Sequence, residues 1–124
     1  MRALVVDDSR AIRAMIARML RELGYAVTQA GDGREALDVL AGSDAPELAL
    51  LDWNMPVMDG YALLRELRAD PRFRATRIMM VTTETEIENM QSALAAGADE
   101  YLMKPFTWDA LREKLALLGL ADAA

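Results

Sequence analysis

The chain has 124 residues, 20 acidic against 14 basic side chains, no histidine and no cysteine. At roughly 100–200 residues per domain this length is one domain, residues 1–124, and 53% apolar with 27% charged residues describes a globular chain with one core. The missing cysteines exclude disulfides, thiolate nucleophiles and Cys-ligated zinc, the missing histidines remove the commonest general base, and a net charge of −6 argues against a nucleic-acid partner.

What remains for chemistry is carboxylates, hydroxyls, lysine and backbone. No segment reaches the ~18 apolar residues of a membrane span. The apolar run after Arg2 stops at Asp7-Asp8, far too short for a signal-peptide core. A cytoplasmic protein without membrane contact is the expectation.

Two periods alternate along the chain. Ala3–Val6 is an apolar run too short for a helix, which predicts a buried strand. Ile12, Met15, Ile16, Met19, Leu20 and Leu23 then fall at helical spacing, with arginines between them. Asp8 or Ser9 can cap that helix and Gly24 stops it. The pattern continues with a strand at Ala26–Ala30, a helix at Glu35–Leu40, a strand at Leu48–Leu51 and a helix at Tyr61–Leu67. A strand at Ile78–Val81, a helix at Glu86–Ala96, a strand at Glu100–Met103 and a helix at Trp108–Leu118, with Thr107 as its cap, complete the series. The nine methionines mostly take core spacing.

This is an α/β (βα)5 pattern, which predicts a doubly wound parallel sheet with right-handed crossovers. In the flavodoxin-like order 2-1-3-4-5, the first and third strands flank the switch point, and ligands bind outside the carboxyl ends of the strands. The residues just after each strand are therefore the informative ones. The first strand runs into Asp7 and Asp8, the third into Asp52, the fourth ends at Thr82 and the fifth at Lys104.

Three converging carboxylates carry a cost. Two of them about 4 Å apart repel by roughly 4 kcal/mol at an effective dielectric near 20. A helix N-terminus offsets only about 0.3–1 kcal/mol, and Lys104 neutralises one charge but not three. A hard divalent cation resolves the conflict, and a few carboxylates with retained waters suit Mg²⁺. Carboxylate, Mg²⁺, hydroxyl and ammonium together form a phosphoryl-transfer constellation, with an aspartate as nucleophile and Thr82 and Lys104 on the phosphoryl oxygens. The phosphoryl donor lies outside this chain, which has no histidine and no Walker A loop. Taken singly, each of these residues has an ordinary structural explanation. Gly31-Asp32-Gly33 is read as a plain turn.

At these residues the sequence resembles the response-regulator receiver domain and, within it, the single-domain chemotaxis regulators of the CheY type. The resemblance covers nearly the whole chain. It rests on Asp7-Asp8, the stretch DWNMPVMDG from Asp52 to Gly60, Thr82 and Lys104-Pro105, in order and at family spacing. It implies the CheY-like fold, Asp52 as phosphoacceptor, and Mg²⁺ bound by Asp7, Asp8, Asp52 and the backbone carbonyl of Asn54. It further implies Thr82 and Lys104 on the phosphoryl group, Tyr101 as an aromatic switch that turns inward when Thr82 moves, and a cis Lys104–Pro105 bond. Asn54 and Glu84 flank the path of an attacking water, and their pairing resembles that of fast-resetting regulators. Haloacid-dehalogenase-type phosphatases share a strand-end aspartyl nucleophile, but they need an acid two residues on, where this chain has Asn54. The expectation is a switch that catalyses only its own phosphorylation and dephosphorylation, not a turnover enzyme.

The implied partners are a sensor histidine kinase of the CheA type as donor, a phosphatase, and a downstream protein. With the chain ending at Ala124, no output domain is expected, so the target would meet the face formed by Glu86–Ala96, Tyr101 and Trp108–Leu118. The target the resemblance implies is a flagellar switch protein or another protein; the stretch Glu84–Glu88 is acidic where the motor-binding relative is basic, which weakens the case for the motor. A phosphorelay intermediate or phosphate sink without a motor target is the alternative role.

Overall fold

A computed structural model describes residues 1–83 and 88–120. Five strands, β1 (Arg2–Val6), β2 (Ala26–Ala30), β3 (Leu48–Asp52), β4 (Arg77–Thr82) and β5 (Glu100–Met103), alternate with five helices. The helices are α1 (Arg10–Glu22), α2 (Gly33–Ala41), α3 (Gly60–Ala69), α4 (Met90–Ala95) and α5 (Trp108–Leu117). The strands form one parallel sheet in the order β2-β1-β3-β4-β5, as the alternation of periods predicts.

Strand side chains alternate between faces, and that alternation splits the core in two. Leu4 and Val6 of β1, Ala49 and Leu51 of β3, and Ile78 and Met80 of β4 pack under α2, α3 and α4. Ala3 and Val5, Leu48 and Leu50, and Met79 and Val81 face α1 and α5 on the other side. A central strand covered on both faces needs apolar residues at every position, which is why β3 reads LALL before its aspartate.

Side-chain caps fix the helix starts. Ser9, Asp32, Asp59 and Thr107 each accept a hydrogen bond from a backbone N–H in the first turn of α1, α2, α3 and α5. Ser9 is thus the cap of α1, and Asp8 is left free of that duty. Asp32 as a cap accounts for the Gly31-Asp32-Gly33 segment. Gly24 closes α1 with a positive φ of 97°.

Some sequence expectations shift. Most elements gain one or two residues at their ends, while α4 is described over Met90–Ala95; Glu84–Ile87, including Glu84 and the start of the expected Glu86–Ala96 helix, lies outside the described residues. A short 3-10 turn at Pro71–Phe73, capped by Asp70, was not expected from periodicity. Met15 falls on the helical stripe yet is 47% exposed, because it lies on the flank of α1 beside Phe106 and Trp108 and not beneath the sheet. No helix among the described residues is long and apolar enough to cross a membrane.

Candidate functional site

Strand register brings the site together. Val6 of β1 pairs with Leu51 of β3, Asp52 with Val81, and Thr82 with Met103. Asp7 and Asp52 therefore emerge at one level, with Thr82 and Lys104 slightly further along, at the carboxyl edge of four adjacent strands. The Lys104 N–H donates to the Thr82 carbonyl at 2.7 Å, which ties the last two together.

Asp7 and Asp52 are buried, 1% and 6% exposed, whereas Asp8 is exposed. One carboxylate oxygen from each of the three lies within 4.8 Å of the others. The Lys104 ammonium donates to Asp52 Oδ1 at 2.9 Å and to Asp7 Oδ2 at 3.1 Å. One ammonium thus spans two of the three carboxylates, and the third, on exposed Asp8, is relieved by solvent.

Burial is the largest influence on Asp52 and raises its carboxyl from 3.8 to about 6; the charges of Asp7 and Asp8 add to it, against the hydrogen bond and charge of Lys104. Burial pulls Lys104 the other way, but its bonds to Asp52 and Asp7 outweigh that and hold the ammonium above its ordinary value. Desolvation thus contributes more than the mutual repulsion that the sequence suggests.

Neighbouring backbone braces these side chains. The Ser9 N–H donates to Asp7 Oδ1 at 2.8 Å, and Arg13 Nη1 donates to the Asp7 carbonyl at 2.7 Å. In the sequence Arg13 is one of the arginines between the apolar positions of α1; one helical turn in from the cap, its reach back to Asp7 depends on the β1–α1 turn, which periodicity does not report. Gly60 packs so closely that a Cβ there would sit 2.1 Å from the Asp52 carbonyl oxygen. Its N–H donates to the Trp53 carbonyl at 3.0 Å, so α3 starts directly against the end of β3. Between them Val57 takes a φ of 68° and is 83% exposed.

Thr82 is fully buried and its hydroxyl donates to the Thr83 carbonyl at 3.2 Å. Asn54 is exposed, two residues past Asp52. Tyr101 is half-buried on β5, with its ring against the core under α4. The Lys104–Pro105 bond is cis. Oxygen donors alone, clustered within Mg²⁺-sized reach and carrying excess negative charge, fit a hard divalent cation.

A switch-point crevice holding three acidic groups and one lysine defines a class of phosphoryl-accepting domain, and the comparisons agree. The family model of the response regulator receiver domain matches residues 3–116. Chemotaxis protein CheY1 of Helicobacter pylori (strain J99) is 43% identical over 124 residues, 98% of this chain and 100% of that protein. A chemotaxis protein CheY homologue of Campylobacter jejuni is 41% identical over 116 residues, 93% of this chain and 89% of its own. The solved structure of chemotaxis protein CheY4 of Vibrio cholerae superposes with a TM-score of 0.86 at 38% identity, covering 94% of this chain and 97% of that one.

This chain belongs to the response regulator receiver domain family. It is a chemotaxis-like, phosphoryl-accepting signalling switch of a two-component system and not a typical metabolic enzyme; the relay-or-sink alternative is not favoured.

Proposed function

We propose that Asp52 is the phosphoacceptor and that Asp7, Asp8, Asp52 and the Asn54 backbone carbonyl hold Mg²⁺. The carrying observation is the Lys104 ammonium bridging two buried carboxylates at the carboxyl edge of the sheet. When bound, Mg²⁺ supplies positive charge for the phosphoryl oxygens.

An Asp52 oxygen attacks phosphorus in line, the new O–P bond forms as the donor's N–P bond breaks, and the donor histidine keeps the nitrogen electron pair. Lys104 leaves its contact with the free carboxylate for a phosphoryl oxygen. Thr82 exchanges the Thr83 carbonyl for a second phosphoryl oxygen, and Tyr101 moves in behind it. The chain thus catalyses its own phosphorylation and its own reset. Asn54 borders the approach of the hydrolytic water, and it and Glu84, two residues past Thr82 in the sequence, set the lifetime of the signal.

The chain in this reading works in the cytoplasm, where a sensor histidine kinase of the CheA type is its donor and a phosphatase resets the switch. Residues 1–124 act as one receiver domain, and a protein target docks on α4, β5 with Tyr101, and α5. Incubation with acetyl phosphate and Mg²⁺ tests the reading. One phosphoryl group per chain is expected in the wild type, and none in Asp52→Asn or with the metal chelated. Full labelling of Asp52→Asn would overturn it.

A further inference from the structure

Lys114 lies on α5, outside the acidic crevice, yet it reaches back to β5 and the aromatic ring there. Its Nζ sits 4.4 Å from the centroid of the Tyr101 ring and donates to Glu100 Oε1 at 2.9 Å. The same Glu100 oxygen accepts the Tyr101 N–H at 3.1 Å. One carboxylate therefore aims the ammonium and holds the backbone of the residue whose ring the ammonium covers.

The geometry is built and not incidental. Glu100 and Lys114 are each only about a quarter exposed, so the pair is sheltered from solvent. Burial alone would raise Glu100, but the bonds from Lys114 and the Tyr101 N–H, and the Lys114 charge, bring it below its ordinary value. A cation over the face of a tyrosine ring is attracted by the ring quadrupole, and the attraction is lost when the ring swings away.

We propose that Lys114, aimed by Glu100, is a latch that holds the Tyr101 ring in its present place and so biases the switch toward the unphosphorylated state. The latch rests on the reading of Tyr101 as the residue that moves with Thr82. In the arrangement seen here the Thr82 hydroxyl bonds the Thr83 carbonyl, which is the partner it gives up on switching. Any ligand that favours the moved ring must work against the Lys114 contact, and removing the contact shifts the equilibrium by the worth of the contact. Lys114 is a positioning residue; it touches no reacting atom.

The test is a titration of the full chain with beryllofluoride in excess Mg²⁺, followed by the fluorescence of Trp53 next to Asp52. Lys114→Met keeps the aliphatic stem and removes the charge. Its half-saturating concentration should fall about two- to fivefold, the range expected of a partly exposed cation–π contact. Glu100→Gln should move it in the same direction by less, and Lys114→Arg, which also covers a ring face, should restore the wild-type value. In a Tyr101→Leu background Lys114→Met should have no further effect. A Lys114→Met titration that overlays the wild type, or a shift that persists without the ring, overturns the latch. A separate readout is independent of switching: the Lys114 ε-protons should be displaced upfield by the ring in the unliganded protein and return to ordinary values in Tyr101→Leu. Ordinary shifts in the wild type overturn the latch whatever beryllofluoride does. Equal saturation of the wild type and Asp52→Asn would overturn the site assignment, and the proton shifts would still judge the latch.

Discussion

Asp52 is held in a state that is costly for the metal-free protein. Its carboxyl is raised from 3.8 to about 6, first by burial, so the folded chain binds that proton more tightly than the unfolded chain. Stability contributed by this group therefore rises as pH falls through about 6 toward 4, and the ionised form penalises folding above that window. Asp52→Asn keeps an oxygen for Lys104 and removes the charge. With chelator present, urea unfolding at pH 7.5 should find this variant more stable by on the order of 2 kcal/mol, a gap that narrows at pH 4.5. A gap of opposite sign at pH 7.5 would show that the Lys104 ion pair outweighs the burial of the charge. Val57 is a second strained position. Its left-handed backbone costs an L-residue about 1–2 kcal/mol, glycine's extra chain entropy costs about 0.5–1 kcal/mol, and the exposed side chain contributes little packing. Val57→Gly should raise stability by about 0.5–1 kcal/mol in the same unfolding assay, and an unchanged or lower midpoint would contradict that assignment of strain.

Between elements, the ends of the sheet are held by different means. At the carboxyl edge the tie is Lys104 on two aspartates. At the other end it is Arg68 of α3, which donates to the carbonyls of Gly97, Phe73 and Thr76 and to Asp99 Oδ2, each at 2.8 Å. Asp99 Oδ2 in turn accepts the Ile78 N–H at 2.8 Å. One guanidinium thus joins the exit of α4 to the 3-10 turn and to the entries of β4 and β5. Gly97 belongs to the same joint: its φ is 114°, and a Cβ there would lie 2.7 Å from the Arg68 side chain. Arg68→Met leaves the stem but strands these acceptors, and at about 1 kcal/mol for each carbonyl bond and about 1.5–3 kcal/mol for the bond to Asp99 it should cost about 4–6 kcal/mol in denaturant unfolding. A loss below about 1 kcal/mol would mean that water satisfies the carbonyls. The bonds reach 29 and 31 residues away from Arg68, which is why a sequence reading sees only a charge at the end of an amphipathic helix.

Across the whole molecule, what was legible in the sequence is what depends on local period and on position just past a strand. The alternation of apolar runs with helical stripes implies the doubly wound sheet, and a parallel sheet places Asp7, Asp52, Thr82 and Lys104 at one edge whatever the details of packing. Asp8 was legible with Asp7 from its place just past β1, whereas Asn54 and Tyr101 needed the family resemblance to stand out, because an exposed asparagine and a strand tyrosine are ordinary residues in their positions. The Arg13 brace on Asp7, the Gly60 approach to Asp52 and the Lys114 contact with Tyr101 were not legible, since each depends on how one element lies against another. The proposed switch turns on a single aspartate, Asp52 at the end of β3. Its most direct test is to phosphorylate the full chain with acetyl phosphate and Mg²⁺, reduce the acyl phosphate with borohydride, and map the product by peptide mass spectrometry. Homoserine at position 52 and at no other acidic residue is the predicted result. Homoserine at Asp7, Asp8 or any other position, with residue 52 recovered as aspartate, would contradict it.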